Sequence, residues 1–217
     1  MQPEIYIEED IITLRAMYSD VIDGHPKHSK ISDFLEEMAE KLWFHYFGGN
    51  QKSCIQLGLH LPDFIEVSPL KIMAAGLNKK QTDLAILLEH GFGSWGEVKY
   101  AEKFNAEFEQ AIDTMLRGEI DKLKQLIQKE PKILKLTSPF GHKSSLIHYL
   151  AANGIETWRQ IVPKNAPDLL KLLLDLGANP DAENFIFGGT DMMTLIETSE
   201  HAMMAGVGDE MILVLQQ

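Results

Sequence analysis

The stretch SLIHYLAANGIETWRQIVPKNAPDLLKLLLDLGANPDA, Ser145 to Ala182, constrains this chain more than any other part of it. Its two ends carry turn and helix signals in a fixed order, and its middle interrupts them. Ser145 stands where a hydroxyl can cap a helix starting at Leu146 by accepting a backbone N–H. Ala151 and Ala152 are small enough for paired helices to approach closely, and Asn153-Gly154 closes the first helix. Leu169, Leu170, Leu172, Leu173 and Leu174 cover too much of the second helix for a single packing partner. Gly177 supplies a left-handed residue that ends it, and Pro180 prevents it from continuing. A helix apolar on more than one side, held between two turns, belongs between two neighbouring hairpins.

Taken in order, Ser145-Leu146-Ile147-His148, the small residues, the leucine-rich helix and Gly177-Ala178-Asn179-Pro180-Asp181-Ala182 resemble one ankyrin repeat. The resemblance implies that His148 ties its turn to neighbouring backbone and is structural, not catalytic. Residues 155–165, IETWRQIVPKN, sit between the two helices where that family passes in a tight turn. They are similar to a "GvE..Rq..P.NA" segment of a bacterial ankyrin subgroup. Downstream, Thr194-Leu195-Ile196 repeats Ser145-Leu146-Ile147, and Gly188-Gly189 through Ala205-Gly206 is similar to the subgroup's next repeat. Upstream, Phe108, Ala111, Ile112 and Met115 form one helix and Ile120, Leu123, Leu126 and Ile127 the next, turned by Gly118. Glu130-Pro131 there replaces the usual Gly-Ala, as terminal repeats are atypical. The segment LEHGFGSWGEV within Ala85 to Tyr100 resembles a helix-turn-helix ahead of the repeats in many bacterial ankyrin proteins, which makes Phe92 and Trp95 packing residues.

Residues 1–80 offer only periodicity. Ile11, Leu14, Met17, Tyr18 and Val21 predict an amphipathic helix over 8–22. Asp23-Gly24-His25-Pro26 breaks it, and His25 and His28, near Asp20 and Asp23, are the one pair at which a metal ligand set begins. No second pair follows at a zinc-type spacing, so a plain exposed turn is the better reading. Ile31, Phe34, Leu35, Met38, Leu42 and Phe44 or Tyr46 line the next helix, which Ser29 or Ser32 opens. Its terminal cluster Trp43, Phe44, Tyr46 and Phe47 reads as core. Ser68-Pro69 starts a helix to about Ala75. Asn78-Lys-Lys-Gln81 has the form of a capping box for a helix with Leu84, Leu87 and Leu88 inward. Ser94-Trp-Gly-Glu97 is a second box, opening a helix through Tyr100 and Phe104. The intervening Gly91-Phe-Gly-Ser-Trp-Gly96 matches the dinucleotide pattern GxGxxG but follows a leucine-rich helix where that chemistry needs a strand.

Composition excludes several classes. A formal net charge of −12 argues against a nucleic-acid binder, which needs a basic footprint. No apolar run reaches the ~18–20 residues of a membrane span, and the acidic start MQPEIYIEED is no secretory leader. The single cysteine, Cys54, reads as a buried thiol in a reducing compartment, which indicates the cytoplasm. No GxSxG, Walker A, HExxH or CxxC motif is present, and the eight histidines lack ligand spacing beyond the pair above.

The sequence therefore predicts an all-α protein, with an N-terminal helical region over 1–100 followed by an ankyrin-repeat αα-solenoid of two to three repeats over 101–217, the last incomplete. The expected function is non-catalytic recognition of another protein, with no cofactor and no metal, by a concave surface of loops and first helices. Its expected contacts are Phe140, His142 and Lys143 in one loop, Phe185 and Phe187 in the next, and Trp158 and Arg159 on the insertion. For the last two there is a competing expectation, that Trp158 covers the long loop and Arg159 pairs with Glu156. Replacing Phe140 and Phe187 together by alanine is expected to weaken a partner without unfolding the chain. The partners expected are a protein, no nucleic acid and no membrane, and a monomer or a weak homo-oligomer through the C-terminal repeat. The alternative is that the helical region is an enzymatic or small-molecule domain braced by the repeats, with a pocket near Trp43, His45, Tyr46 and His60.

Overall fold

The computed structural model describes residues 3–22, 30–101 and 103–217, and these are predominantly helical. The proposed break and histidine pair at 23–28, and the Ser29 cap, lie outside the described residues. None of the described helices is long and apolar enough to cross a membrane. The chain divides into two compact units. One is helical and consists of Glu9–Phe104 with Pro139–Gly141. The other consists of residues 3–8, Asn105–Ser138 and His142–Gln217. The two short crossings, 3–8 and 139–141, have no counterpart in a division of the chain at residue 100.

In the helical unit, α1 (Glu9–Ile22), α2 (Ile31–Phe47), α3 (Ser53–His60), α4 (Pro69–Ala74), α5 (Lys79–Glu89) and α6 (Trp95–Val98) follow in order. The apolar stripe of α1 is buried as its spacing predicts, from Ile11 to Val21. Phe34, Leu35, Met38 and Leu42 of α2 are closed to solvent, and α2 packs chiefly on α5. Asn78 and Gln81 form the reciprocal cap: Gln81 N–H donates to the Asn78 side chain and Asn78 N–H to the Gln81 side chain. Tyr46 is pinned at both ends of its hydroxyl, which donates to the Ile72 carbonyl at 3.0 Å and accepts from Leu77 N–H at 2.9 Å.

Three expectations fail in this unit. The aromatic cluster ending α2 is not core: only Tyr46 is buried, while Phe44 and Phe47 are 74% and 77% exposed. The inward face of α5 is Thr82, Ala85, Ile86, Leu87 and Glu89, so Leu88 lies outside it and Leu84 is only half-buried. The second capping box does not close either. Glu97 accepts from Gly93 N–H instead of Ser94 N–H, α6 stops at Val98, and Tyr100 is exposed.

The other unit contains α7 (Ala106–Leu116), α8 (Ile120–Lys129), a six-residue 3₁₀ segment Leu146–Ala151, α9 (Ala166–Asp175), α10 (Met192–Glu197), α11 (Glu200–Met204) and α12 (Gly208–Leu215). The helices form two rows in chain order. α7 packs on the 3₁₀ segment and that segment on α10, while α8 packs on α9 and α9 on α12. Gly177 takes the left-handed conformation that ends α9, at φ 92°. A two-stranded antiparallel pair joins β1 (Ile5–Tyr6) to β2 (Val162–Pro163), with Ile5 opposite Pro163 and Tyr6 opposite Val162.

Candidate functional site

Two loops of the second unit lie side by side. The first folds back on itself through an antiparallel bridge between Thr137 and Ser145 and a 2.8 Å bond from Ser138 N–H to the Ser144 carbonyl. The second is tied to it by Phe185 N–H, which donates to the His142 carbonyl at 2.7 Å. Asn184 organises that second loop: its side-chain oxygen accepts from Ile186 N–H, and its amide donates to the Thr190 carbonyl. An Asn bonded to backbone two residues on is a local turn device that needs no distant partner. His148 stands beside it, with Nε2 3.2 Å from the Asn184 side-chain nitrogen and Nδ1 accepting from Ser145 N–H at 3.0 Å. The Ser145 hydroxyl also meets that Nδ1, at 3.1 Å. Burial pushes the His148 imidazole down to about 4, which keeps it neutral and able to accept.

Between the loops runs an open groove of about 520 Å³. Leu134, Lys135, Thr137 and Lys143 line one side, and Asn179, Glu183 and Phe185 the other. Neither lysine makes an ion pair with a described residue. Phe185 is 56% exposed and Phe187, in the same loop, 72%. Lys143 and Phe187 both hold the left-handed backbone conformation, at φ 51° and 50°. That conformation is strained for residues with a Cβ, and it persists only where the surrounding loop is firmly held.

Of the seven residues expected to meet a partner, three are available. Lys143 and Phe185 both line the groove, and Phe187 is exposed without being part of its lining. The other four are buried. Phe140 is fully closed to solvent within the helical unit, where its ring lies 4.6 Å from that of His90, 5.7 Å from Phe104 and 6.1 Å from Phe34. Gly141 N–H donates to the His90 carbonyl in the same contact. His142 is 3% exposed, with Nδ1 bonded to Ser144 and Nε2 3.7 Å from the Glu156 carboxylate. An exposed position in a loop is thus the wrong expectation for both. Lys135, Thr137 and Glu183 are groove residues that the sequence reading missed. Lys135 and Lys143 both line the groove, and no local signal marks Lys135.

The insertion packs inward. Arg159 is 1% exposed and bonds Glu156 at 3.2 Å and Glu109 at 2.5 Å, with Asp113 at 3.7 Å. Its guanidinium lies 4.3 Å from the centre of the Trp158 ring. Tyr149 donates its hydroxyl to Glu156. Burial alone would depress the Arg159 guanidinium, yet Glu109 and Glu156 hold it above its ordinary value. Glu109 is itself raised, because burial and the neighbouring acids outweigh the pull of Arg159. One cation serves two buried carboxylates. Gln160, Lys164 and Asn165 fix the rest of the insertion, through Ile155, Ala205 and Gly118 carbonyls respectively.

In the helical unit a second cavity of about 340 Å³ is lined by Lys30, Ile31, Ser32, Val98, Lys99, Ala101 and Lys103, away from Trp43, His45, Tyr46 and His60. No three or more His, Cys, Asp or Glu side chains among the described residues gather to hold a metal ion. The chain matches no family model, no curated protein and no solved structure.

Proposed function

We propose that the second unit is an ankyrin-repeat solenoid acting as a non-catalytic protein-binding module in the cytoplasm, and that it takes its partner along the groove between the two loops. The groove is the observation that carries this reading. It sets two lysines that pair with no described residue, and a half-exposed phenylalanine, on segments that backbone bonds already hold in position, so little ordering is needed on binding. The repeat assignment is supported by the two rows of helices stacked in chain order and by the Ser145–His148–Asn184 contacts that link one turn to the next loop. The cytoplasmic reading rests on a single, buried, unpaired thiol at Cys54.

The test compares capture from source-cell lysate by the wild type, by a Lys135→Glu, Lys143→Glu, Phe185→Ala variant, and by a Phe44→Ser control. Proteins retained by the wild type and the control but lost by the folded triple variant are the expected result. Equal capture by all three removes the groove as the binding surface.

A further inference from the structure

The N-terminal residues 3–8 belong to the second unit, although the helix that follows them does not. They lie across the insertion as an added strand. Ile5 and Tyr6 pair with Pro163 and Val162, and Lys164 N–H donates to the Glu4 carbonyl at 2.8 Å. At one end, Pro3 occupies the hollow left by the missing side chain of Gly118, where a Cβ would come within 2.3 Å of the proline ring. At the other end, the Glu8 carboxylate stands 3.6 Å from His201 Nδ1. The receiving side is built into the core: Ile161, Val162, Pro163 and Gly118 are buried. The added strand is not, since Pro3, Ile5, Tyr6 and Ile7 are each only half-buried, and Glu4 and Glu8 are exposed.

This asymmetry separates a site from its occupant. Strand addition recognises an extended backbone through main-chain bonds and selects side chains by the hollows along it. A two-residue ladder with no fully buried side chain opens at a small fraction of the global stability. A segment so held competes mainly through its tether, which gives it a high effective concentration.

We propose that Val162–Lys164 is a strand-accepting peptide site, that residues 3–8 are its built-in exchangeable occupant, and that its external ligand is an extended acidic segment of another protein. The matching order of side chains is proline, acid, three apolar residues, acid. The proline is selected at Gly118 and the last acid at His201, while the insertion supplies the backbone partners. The site is separate from the groove and stands whether or not the groove binds anything.

The experiment removes residues 1–8 and adds a fluorescein-labelled peptide of residues 3–10, PEIYIEED, read by anisotropy, with circular dichroism as the measure of folding. The shortened chain is expected to bind the peptide at least about ten-fold more tightly than the intact chain does. A peptide carrying Tyr6→Pro is expected not to bind, and one carrying Glu8→Lys to bind more weakly. A folded shortened chain that ignores the peptide overturns the proposal, as does equal binding by the intact chain or indifference to both substitutions. Should the shortened chain lose its helical signal, recovery on adding peptide supports the site, and failure to recover shows that the segment is an integral part of the fold and overturns it.

Discussion

The Arg159 guanidinium lies 2.5 Å from the Glu109 carboxylate, fifty residues away in the chain, with both side chains closed to solvent. The pair fixes the insertion to α7, and Glu156 completes it from within the insertion itself. Burial is the main reason that Glu109 sits above its ordinary carboxylate range despite its partner, and the neighbouring Glu156 and Asp113 add to it.

Arg159→Met is therefore expected to lower stability by about 3–5 kcal/mol at neutral pH, since both carboxylates would remain buried without a cation. The folded-state pKa of Glu109, already raised by burial, would rise further without the guanidinium that lowers it. A raised acid lets the folded state keep protons that the unfolded chain has released, so the deficit should shrink as pH falls from the raised value towards the ordinary 4.5. Urea denaturation of wild type and variant at neutral and acidic pH reads this directly. An identical deficit at both would contradict it.

Protonating His148 works in the opposite direction. Its folded value of about 4 lies below the ordinary 6.5, so the unfolded chain takes up the proton first. Its contribution is complete above about pH 6.5 and lost as pH falls to about 4, amounting to about 3 kcal/mol over the window. A His148→Gln variant should be less stable at pH 7 and show a flatter pH profile over that range. Parallel profiles would show that His148 does not set the slope.

Phe140 and Phe187, one in each loop of the sequence reading, should now part company. Phe140→Ala removes a fully buried ring and is expected to cost about 3–5 kcal/mol. Phe187→Ala, at an exposed position, should stay within about 0.5 kcal/mol. The double variant is consequently unsuited to separating binding from folding. Thermal melts of the two single variants decide the matter.

Tyr46→Phe takes away one hydroxyl and strands the Leu77 N–H, while the Ile72 carbonyl keeps its bond from Ala75 N–H. The expected loss is about 1–3 kcal/mol, most of it from the buried amide left without a partner. A neutral result would mean that water reaches Leu77.

What the sequence made legible follows the range of the interaction concerned. The stripe of α1, the Asn78 cap and the left-handed Gly177 are settled within a few residues, and each lies where its local signal puts it. The pairing of Arg159 with Glu156 was readable for the same reason, at three residues' separation. Glu109 was not, because nothing near it in the chain announces a guanidinium fifty residues on. Phe140 was misread on identical grounds. An aromatic residue between Pro139 and Gly141 has the local marks of an exposed loop tip, and only the packing of α2 and α5 decides that it is core. In the candidate groove, Lys143 and Phe185 were visible as loop residues, but Lys135 ends the 3₁₀ segment Pro131–Lys135 and carries no loop signal.

The segment Leu146–Ala151 has six consecutive side chains, and every one of them is buried. A 3₁₀ turn brings round a new face every three residues, and here each face meets a neighbour. α2 behaves differently, with Asp33, Glu36 and Glu40 reaching solvent between its buried positions. In a saturation-substitution scan, α2 should alternate between tolerant and intolerant positions, while 146–151 should form an unbroken intolerant block. For a lineage of such chains, this span would be the slowest to drift and the one from which common descent could be read longest.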